Sequence, residues 1–439
     1  MSLTPLKYFE SLYPENTREK EIREYLDFLK KGLSVQVIGL PGIGKNNLLR
    51  LLAYNIDARR YHLKEYEKFM HFVYIDSAEA KNRPQIDLIK LILSSIAFSL
   101  GERSMLDESL KINTLLQEGV SLNDEFLIFQ YLKKAIDYLT IEKKLSVVLL
   151  FDRFDTIAPN LTEDFFSNLK TLRNNSKYRF GVVFSLKRPL EETVDPRLIS
   201  DFSDIIAKNE IYASLSDPIA LKFRTEYIEK AARNALSKDL REKIITLTGG
   251  HAKLTKLAFE KIVSENKPID DLKKYLFNQP TIISALNELW ESLLPSEKSA
   301  LKTSSAPDDS YLVKSGLVKK GKIVIPLFSE FIEGKDIETS EKITYDSIKN
   351  EIIKGDTSIS HLLSSSEFKL LKFFIEHNEK ILTKDEIISI IWSDQRTQEG
   401  VTDQALDQVL YRLRKKIERN PSNPQFIHTI KGTGYKFTS

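Results

Sequence analysis

The chain has 439 residues, 41% of them hydrophobic, with 65 Lys and Arg against 62 Asp and Glu, a net charge of +3. That length exceeds one compact core and predicts two to four domains, and the near-balance of charge means that any basic surface for nucleic acid must be local. There is no cysteine, which excludes a disulfide framework, a thiolate metal site and a cysteine nucleophile; no run approaches the ~20 apolar residues of a membrane span and the start lacks a signal peptide's apolar core, so a cytoplasmic location without a membrane partner is expected.

In chain order, residues 8–31 read as a leading loop and an amphipathic helix, with Asn16 or Thr17 as N-cap and Ile22, Leu26 and Leu29 on one face. An apolar run, Val35–Ile38, precedes the stretch GLPGIGKNN at Gly39–Asn47, and Leu48–Ala53 continues as a helical pattern. His71–Ile75 is β-rich, Ile86–Leu100 a long apolar-periodic helix, Gly101–Glu118 a polar insertion, and Asp124–Leu139 a further helix. Val147–Phe151 is continuously apolar and ends in Asp152-Arg153-Phe154-Asp155, the pattern of a central parallel strand covered on both faces. Phe180–Ser185 is similar and leads to Lys187-Arg188; Asp204–Ala207 with Ile211 suggests another strand. Alternating strands and helices predict a P-loop parallel α/β sheet over residues 1–214.

From 215 to 278 helical periodicity dominates, broken by Gly249-Gly250, and predicts a helical domain. Helices at Ile282–Leu293 and Ser296–Thr303, followed by a Gly-turned hairpin within Ser315–Pro326, predict a winged helix over 279–335. Residues 336–344 read as a polar linker, and 345–439 as short strands, three helical segments and a final hairpin around Gly432–Gly434.

A strand, a glycine loop and a helix in that order make a phosphate cradle. Glycines let the backbone turn N–H groups toward phosphate oxygens, and the helix N-terminus adds positive potential. Gly39, Pro41, Gly42, Gly44, Lys45, Asn46 and Asn47 are the expected nucleotide-binding residues, with Lys45 reaching the outer phosphates. The position after the lysine normally carries a Mg²⁺-binding hydroxyl; here Asn46 offers an amide oxygen instead. Asp152, at a strand's C-terminal end, is placed to hold a water of the Mg²⁺ shell. The next position, where a second acid orients the attacking water, is Arg153; Asp155 is either a substitute for that acid or a turn cap. ATP or ADP binding is therefore expected more firmly than ATPase turnover, which is slow if present. Lys187 and Arg188 either report a terminal phosphate or form a basic turn before Pro189.

Over residues 8–335 these motifs resemble the STAND class of AAA+-related P-loop ATPases, near the origin-recognition and MalT-like proteins. Thr17–Ile22 looks like the box leading into the nucleotide domain, Gly39–Lys45 like Walker A and Val147–Asp152 like Walker B. Gly249-Gly-His-Ala252 is similar to the G-x-P element of the lid, which puts His251 near the nucleotide, although Ala252 replaces the proline. The resemblance implies a lid at 217–277, a winged helix at 280–335, and a switch in which ADP holds a closed monomer and ATP exchange opens it to self-association.

Residues 345–439 resemble the OmpR/PhoB-type winged-helix DNA-binding domain. Ser364–Phe374 looks like its first helix, Ile381–Trp392 like its second, Ala405–Ile417 like its recognition helix and Ile427–Phe437 like its wing. Leu406, Val409, Leu410, Leu413 and Ile417 share a buried face at helical spacing, leaving Gln404, Gln408, Tyr411, Arg412 and Lys415 to project outward. Such a helix fits the major groove, with Lys431 and Lys436 of the wing near phosphates. Asp403 and Asp407 are acidic, and a domain that binds protein instead is the alternative. The reading is a nucleotide-switched transcriptional regulator acting on double-stranded DNA; the alternatives are a signalling or defence scaffold and an origin-type loader.

Overall fold

The computed structural model describes residues 8–195, 197–206, 208–265, 269–335, 342–355, 357–392, 403–418, 421, 424–430 and 433–438. The chain divides into two compact units, Met1–Lys335 and Asp336–Ser439.

The first unit is built on a parallel five-stranded sheet. Its strands are β1 (Val35–Ile38), β2 (Met70–Asp76), β3 (Ser146–Asp152), β4 (Phe180–Leu186) and β5 (Glu210–Tyr212), in spatial order β2-β3-β4-β1-β5. β1 and β4 are buried along their whole length, which is why their sequences are nearly continuous runs of apolar residues rather than alternating ones. Successive side chains still part to opposite faces. Val148, Leu150 and Val183 join one core with Val35 and Val37, while Val147, Leu149, Val182 and Phe184 join the other. The first of these cores continues without a break into the helices beyond residue 217, through Leu254, Phe259, Trp290 and Phe328.

Several elements differ from expectation. The first long helix, Glu19–Lys30, is N-capped by Arg18 in the left-handed region (φ 57°), not by Asn16 or Thr17. The guanidinium of Arg18 is anchored by Glu21 and by the Ser214 and Ile43 carbonyls. The polar stretch read as an insertion carries a regular helix, Leu106–Val120, whose Ile112 and Leu115 pack onto the Gln85–Glu102 helix. Ser203–Ile206 is a helical turn and the strand begins later, at Glu210. Asn209 makes the break: its side-chain amide donates to the Ser34 carbonyl (2.8 Å) and the Ile205 carbonyl (2.7 Å), ending the turn beside β1.

Helices Pro218–Ala232, Lys238–Thr248, Ala252–Val263 and Leu272–Phe277 follow the sheet. Asp217 and Ser237 cap the first two by accepting backbone N–H bonds. Gly249 ends the second with φ 58°, and a Cβ there would meet the Val324 carbonyl at 2.5 Å. Helices Pro280–Glu291, Pro295–Thr303 and Tyr311–Lys314 then lead into a hairpin, Val318–Lys319 with Lys322–Ile323. A further helix, Pro326–Glu333, closes the unit.

The second unit opens with an antiparallel sheet of Ile343–Asp346, Glu351–Lys354 and Thr357–Ser358. Ile343 and Thr344, read as linker, are therefore strand; residues 336–341 lie outside the described residues. Helix Ser365–Glu376 starts with a capping box of Ser364 and Glu367, and helix Lys384–Ile391 with one of Thr383 and Glu386. Ile381–Leu382, expected to begin the second helix, instead pairs as a strand with Gly434–Phe437, which also pairs with Ile427–Ile430. Helix Asp403–Ile417 packs its Leu406, Leu410 and Leu413 into the core with Leu370 and Phe374.

Candidate nucleotide site and candidate nucleic-acid interface

The loop after β1 is best understood by asking where its carbonyls go. Those of Gly39 and Leu40 accept from the Lys45 ammonium at 2.6 and 3.0 Å. The Pro41 carbonyl accepts from His251 Nε2 (2.9 Å), that of Gly42 from the Lys253 N–H (2.9 Å), and that of Ile43 from Arg18 Nη2 (2.5 Å). Five consecutive carbonyls are thus taken. Gly42 (φ 75°) and Gly44 (φ 91°) supply the positive φ that the curl requires. The N–H groups of Gly42, Ile43, Gly44, Lys45 and Asn46 have no acceptor among the described residues, and helix Lys45–Tyr54 starts there. Unpaired donors converging at a helix N-terminus form an anion cradle.

The two neighbouring asparagines are engaged locally. Asn46 Oδ1 accepts from the Asn47 N–H (2.8 Å), and the Asn47 side-chain amide donates to the Tyr13 hydroxyl (3.3 Å). Lys45 is partly buried, and its amine is lowered to about 8 by desolvation, opposed by the charges of Asp155 and Asp152.

Asp152 ends β3 with its side chain buried. Its Oδ2 accepts from the Tyr74 hydroxyl (2.8 Å) and its Oδ1 from the Arg153 N–H (2.9 Å). Burial and the adjacent Asp152 charge push the Tyr74 hydroxyl well above its usual range. Arg153 turns sideways onto Asp76, the residue in register with Asp152 on β2, and binds its carboxylate through both Nε (2.9 Å) and Nη2. Asp155 pairs with Lys187 at 3.6 Å. Arg188 points elsewhere: its guanidinium grips Glu297 in a two-pronged ion pair (Nη1 to Oε1 2.6 Å), donates to the Ser292 carbonyl and lies 3.7 Å from the Tyr311 ring centre.

Beside the cradle lies a cavity of about 250 Å³. Gly42–Gly44 and Asn46 form one wall, Leu221 and Thr225 another, and Tyr13 and Arg18 contribute to its lining. Of the residues expected to bind nucleotide, Gly42, Gly44, Asn46 and Asn47 line it, whereas Gly39, Pro41, Lys45, Arg188 and His251 do not. His251 stands behind the loop. Burial lowers its imidazole to about 4, so it is neutral, with Nδ1 accepting from the Leu254 N–H (3.2 Å) and Nε2 donating to Pro41. Sequence reasoning missed Arg18, Tyr74, Asp76 and Glu297. Arg18 fell within the Thr17–Ile22 box without being singled out, and Glu297 carried no local signal.

Among the described residues no group of three or more His, Cys, Asp or Glu is arranged to hold a metal. That does not bear against nucleotide-bound Mg²⁺, most of whose ligands are phosphate oxygens and water. Asp152 fits the outer sphere of such an ion. Asn46 fits only if its amide oxygen leaves the Asn47 N–H.

In the second unit, the Asp403–Ile417 helix separates its charges. Arg414 donates to the Ile427 carbonyl (2.8 Å) and Thr429 hydroxyl (2.9 Å), Lys416 pairs with buried Glu367, and Asp407 accepts from the Tyr435 hydroxyl (2.8 Å). These tie the helix to its own domain. Gln408, Tyr411, Arg412 and Lys415 are exposed, and the Lys415 ammonium lies 4.8 Å from the Tyr411 ring centre. They form one outward strip at helical spacing. Lys436 pairs with Glu379 at 2.5 Å. The Gln404 side chain and Lys431 lie outside the described residues.

Residues 360–437 match the family model described as "Transcriptional regulatory protein, C terminal". This region is a winged helix of the OmpR/PhoB type. The chain is 34% identical over 110 residues to the transcriptional regulatory protein YvrH of Bacillus subtilis, covering 24% of this chain and 44% of that protein. It is 28% identical over 135 residues to the phosphate regulon transcriptional regulatory protein PhoB of Klebsiella pneumoniae, covering 30% and 56%. The chain thus spans about half the length of the curated relatives it matches. Among solved structures, the Walker-type ATPase PABY2304 of Pyrococcus abyssi is similar at 15% identity and a TM-score of 0.39, over 81% of this chain and 96% of that one. No described helix is long and apolar enough to cross a membrane.

Proposed function

We propose that this chain is an ATP/ADP-switched regulator of the STAND type, in which nucleotide bound between loop and lid controls DNA binding by the C-terminal winged helix. One observation carries the reading: the anion cradle opens into a cavity whose other walls come from the lid helices and from Tyr13, Thr17 and Arg18 of the N-terminal segment. Phosphates would occupy the N–H cradle with Lys45 on the outer ones, and the nucleoside the cavity. Mg²⁺, when bound with the nucleotide, would neutralise phosphate charge, with Asp152 holding its water shell. The nucleotide is read as a latch first and a substrate second, and self-association would follow exchange of ADP for ATP.

The DNA part of the reading rests on the exposed strip of Gln408, Tyr411, Arg412 and Lys415. A helix seated in the major groove would offer glutamines and arginine to base edges and cations to phosphates. Lys431 and Lys436 would approach the backbone from the wing.

The test is duplex binding at graded salt with ADP and with ATP. Affinity should fall with a log–log slope of roughly −0.9 per neutralised phosphate, and the double variant Arg412→Ala, Lys415→Ala should flatten it. Lys45→Ala should lose ATP and ADP binding together with any nucleotide effect on DNA. A chain with no salt-sensitive duplex affinity in either nucleotide refutes the regulator reading and favours a protein partner for the winged helix.

A further inference from the structure

We infer that His251 is a positioning residue through which the lid aims the amides of the phosphate loop. The inference rests on the nucleotide reading above and names how that site is regulated. A trans peptide is planar, so fixing the carbonyl of one residue fixes the direction of the next residue's N–H. His251 Nε2 on the Pro41 carbonyl (2.9 Å) therefore orients the Gly42 N–H. The Lys253 N–H on the Gly42 carbonyl (2.9 Å) orients that of Ile43. Arg18 Nη2 on the Ile43 carbonyl (2.5 Å) orients that of Gly44.

The three clamps differ in origin. Arg18 belongs to the sheet domain and is itself held by Glu21 (2.9 Å) and the Ser214 carbonyl (2.9 Å). His251 and Lys253 belong to the lid, at the start of helix Ala252–Val263. Lid departure therefore releases the Gly42 and Ile43 amides while leaving that of Gly44 in place. Conversely, an anion that requires all three amides favours the closed lid. Cradle assembly and lid closure are one equilibrium, which is the coupling a switch needs.

His251 suits this task. It is buried, it does not line the cavity, and both ring nitrogens are committed, one to capping its own helix and one to the loop. Its Cε1 would lie 2.9 Å from a Cβ at Gly42, so ring and loop are in direct apposition.

Two variants of the full chain separate positioning from capping. His251→Asn keeps a strong N-cap acceptor but is too short to donate to Pro41, whereas His251→Gln has an amide long enough to reach it. ADP affinity is read by titration with a fluorescent ADP analogue, and lid closure by amide exchange across Ala252–Val263. His251→Asn should weaken ADP about 10-fold, the scale of one buried hydrogen bond, and ADP should no longer slow exchange in the lid helix. His251→Gln should recover most of both. Wild-type affinity and full ADP-induced lid protection in His251→Asn would overturn the inference while leaving the nucleotide reading intact. Equal losses in both variants would overturn it too, because His251→Gln restores a donor to Pro41, and a loss in His251→Gln alone would reduce His251 to a capping residue. Absence of ADP and ATP binding in the wild-type chain would remove the nucleotide reading itself, and the inference with it.

Discussion

Replacing Gly42 by alanine should move the Ala252–Val263 helix, the proposed lid, off the loop without unfolding the sheet, and Gly44→Ala is its control. Both glycines have positive φ, 75° and 91°, so each alanine costs about 1–2 kcal/mol for the left-handed region alone. Their surroundings differ. A Cβ on Gly42 would lie 2.8 Å from Lys253 Cβ and 2.9 Å from His251 Cε1, and neither neighbour is the free end of a long side chain. A Cβ on Gly44 would find Arg18 Nη2 at 3.6 Å and Ala252 Cβ at 3.9 Å, ordinary contact distances. Relieving the Gly42 clash moves the Ala252–Val263 helix off the loop and breaks the His251–Pro41 and Lys253–Gly42 bonds, worth about 1 kcal/mol each. Gly42→Ala should therefore favour lid opening by about 2 kcal/mol more than Gly44→Ala, roughly 30-fold in the opening equilibrium. Amide exchange across Ala252–Val263 in the nucleotide-free chain reads this directly, with the β3 and β4 amides as internal reference for global stability. Equal exchange in the two variants would refute the steric account of the lid contact.

Two further outcomes follow from buried charges. His71 and His251 are held neutral, at about 3 and about 4, chiefly by desolvation. Their folded pKa values lie below the unfolded value of about 6.5, so between about pH 6.5 and pH 4 the unfolded chain binds protons that the folded chain refuses. Stability should be fully present above that window and fall on acidification through it; denaturant midpoints that do not drop between pH 7.5 and pH 5 would contradict this. Glu297→Ala should destabilise the first unit by about 3 kcal/mol, because it leaves the Arg188 guanidinium, whose side chain is 13% exposed, without its carboxylate. It also removes the acceptor for the Leu294 N–H (2.9 Å). Glu297→Gln keeps an acceptor oxygen and should cost clearly less, as read from chemical unfolding; equal losses would mean that the ion pair contributes nothing beyond that capping bond.

What was legible in the sequence was what local spacing encodes. Val35–Ile38, Val147–Phe151 and Phe180–Ser185 stood out because strands covered on both faces must be apolar throughout, and each lies within an observed strand. The glycines and Lys45 were legible because a phosphate loop is contiguous. Asp204-Ile-Ile was misread since a buried helical turn and a short strand have the same apolar content, and the deciding residue, Asn209, acts through Ser34 on another element. The polar stretch after Gly101 hid its helix because Ile112, Leu115 and Gly119 are buried with Leu116 partly so, a narrow stripe on a largely exposed element. Long-range pairing was illegible. His251 meets Pro41 across 210 residues and Arg188 meets Glu297 across 109, and no periodicity in the chain specifies either partner.

The same distinction bears on the two departures from the phosphate-loop pattern. Read from sequence, Asn46 is a weaker metal ligand than a hydroxyl and Arg153 replaces the second acid, so hydrolysis is expected to be slow if present. In the fold each is internally satisfied: Asn46 Oδ1 by the Asn47 N–H and Arg153 by the Asp76 carboxylate. A group already paired must give up that bond before it can serve a metal or a water, whereas the amides of Gly42 to Asn46 give up nothing on meeting phosphate. The backbone donors of the loop are thus free, while the groups at the expected hydrolytic positions are engaged and the Lys45 ammonium is held by the Gly39 and Leu40 carbonyls. Asp155, whose charge acts on Lys45 most strongly among the nearby acids, is itself paired with Lys187. This asymmetry supports the proposed latch, in which a bound nucleotide would be retained and the Ala252–Val263 helix would govern its release.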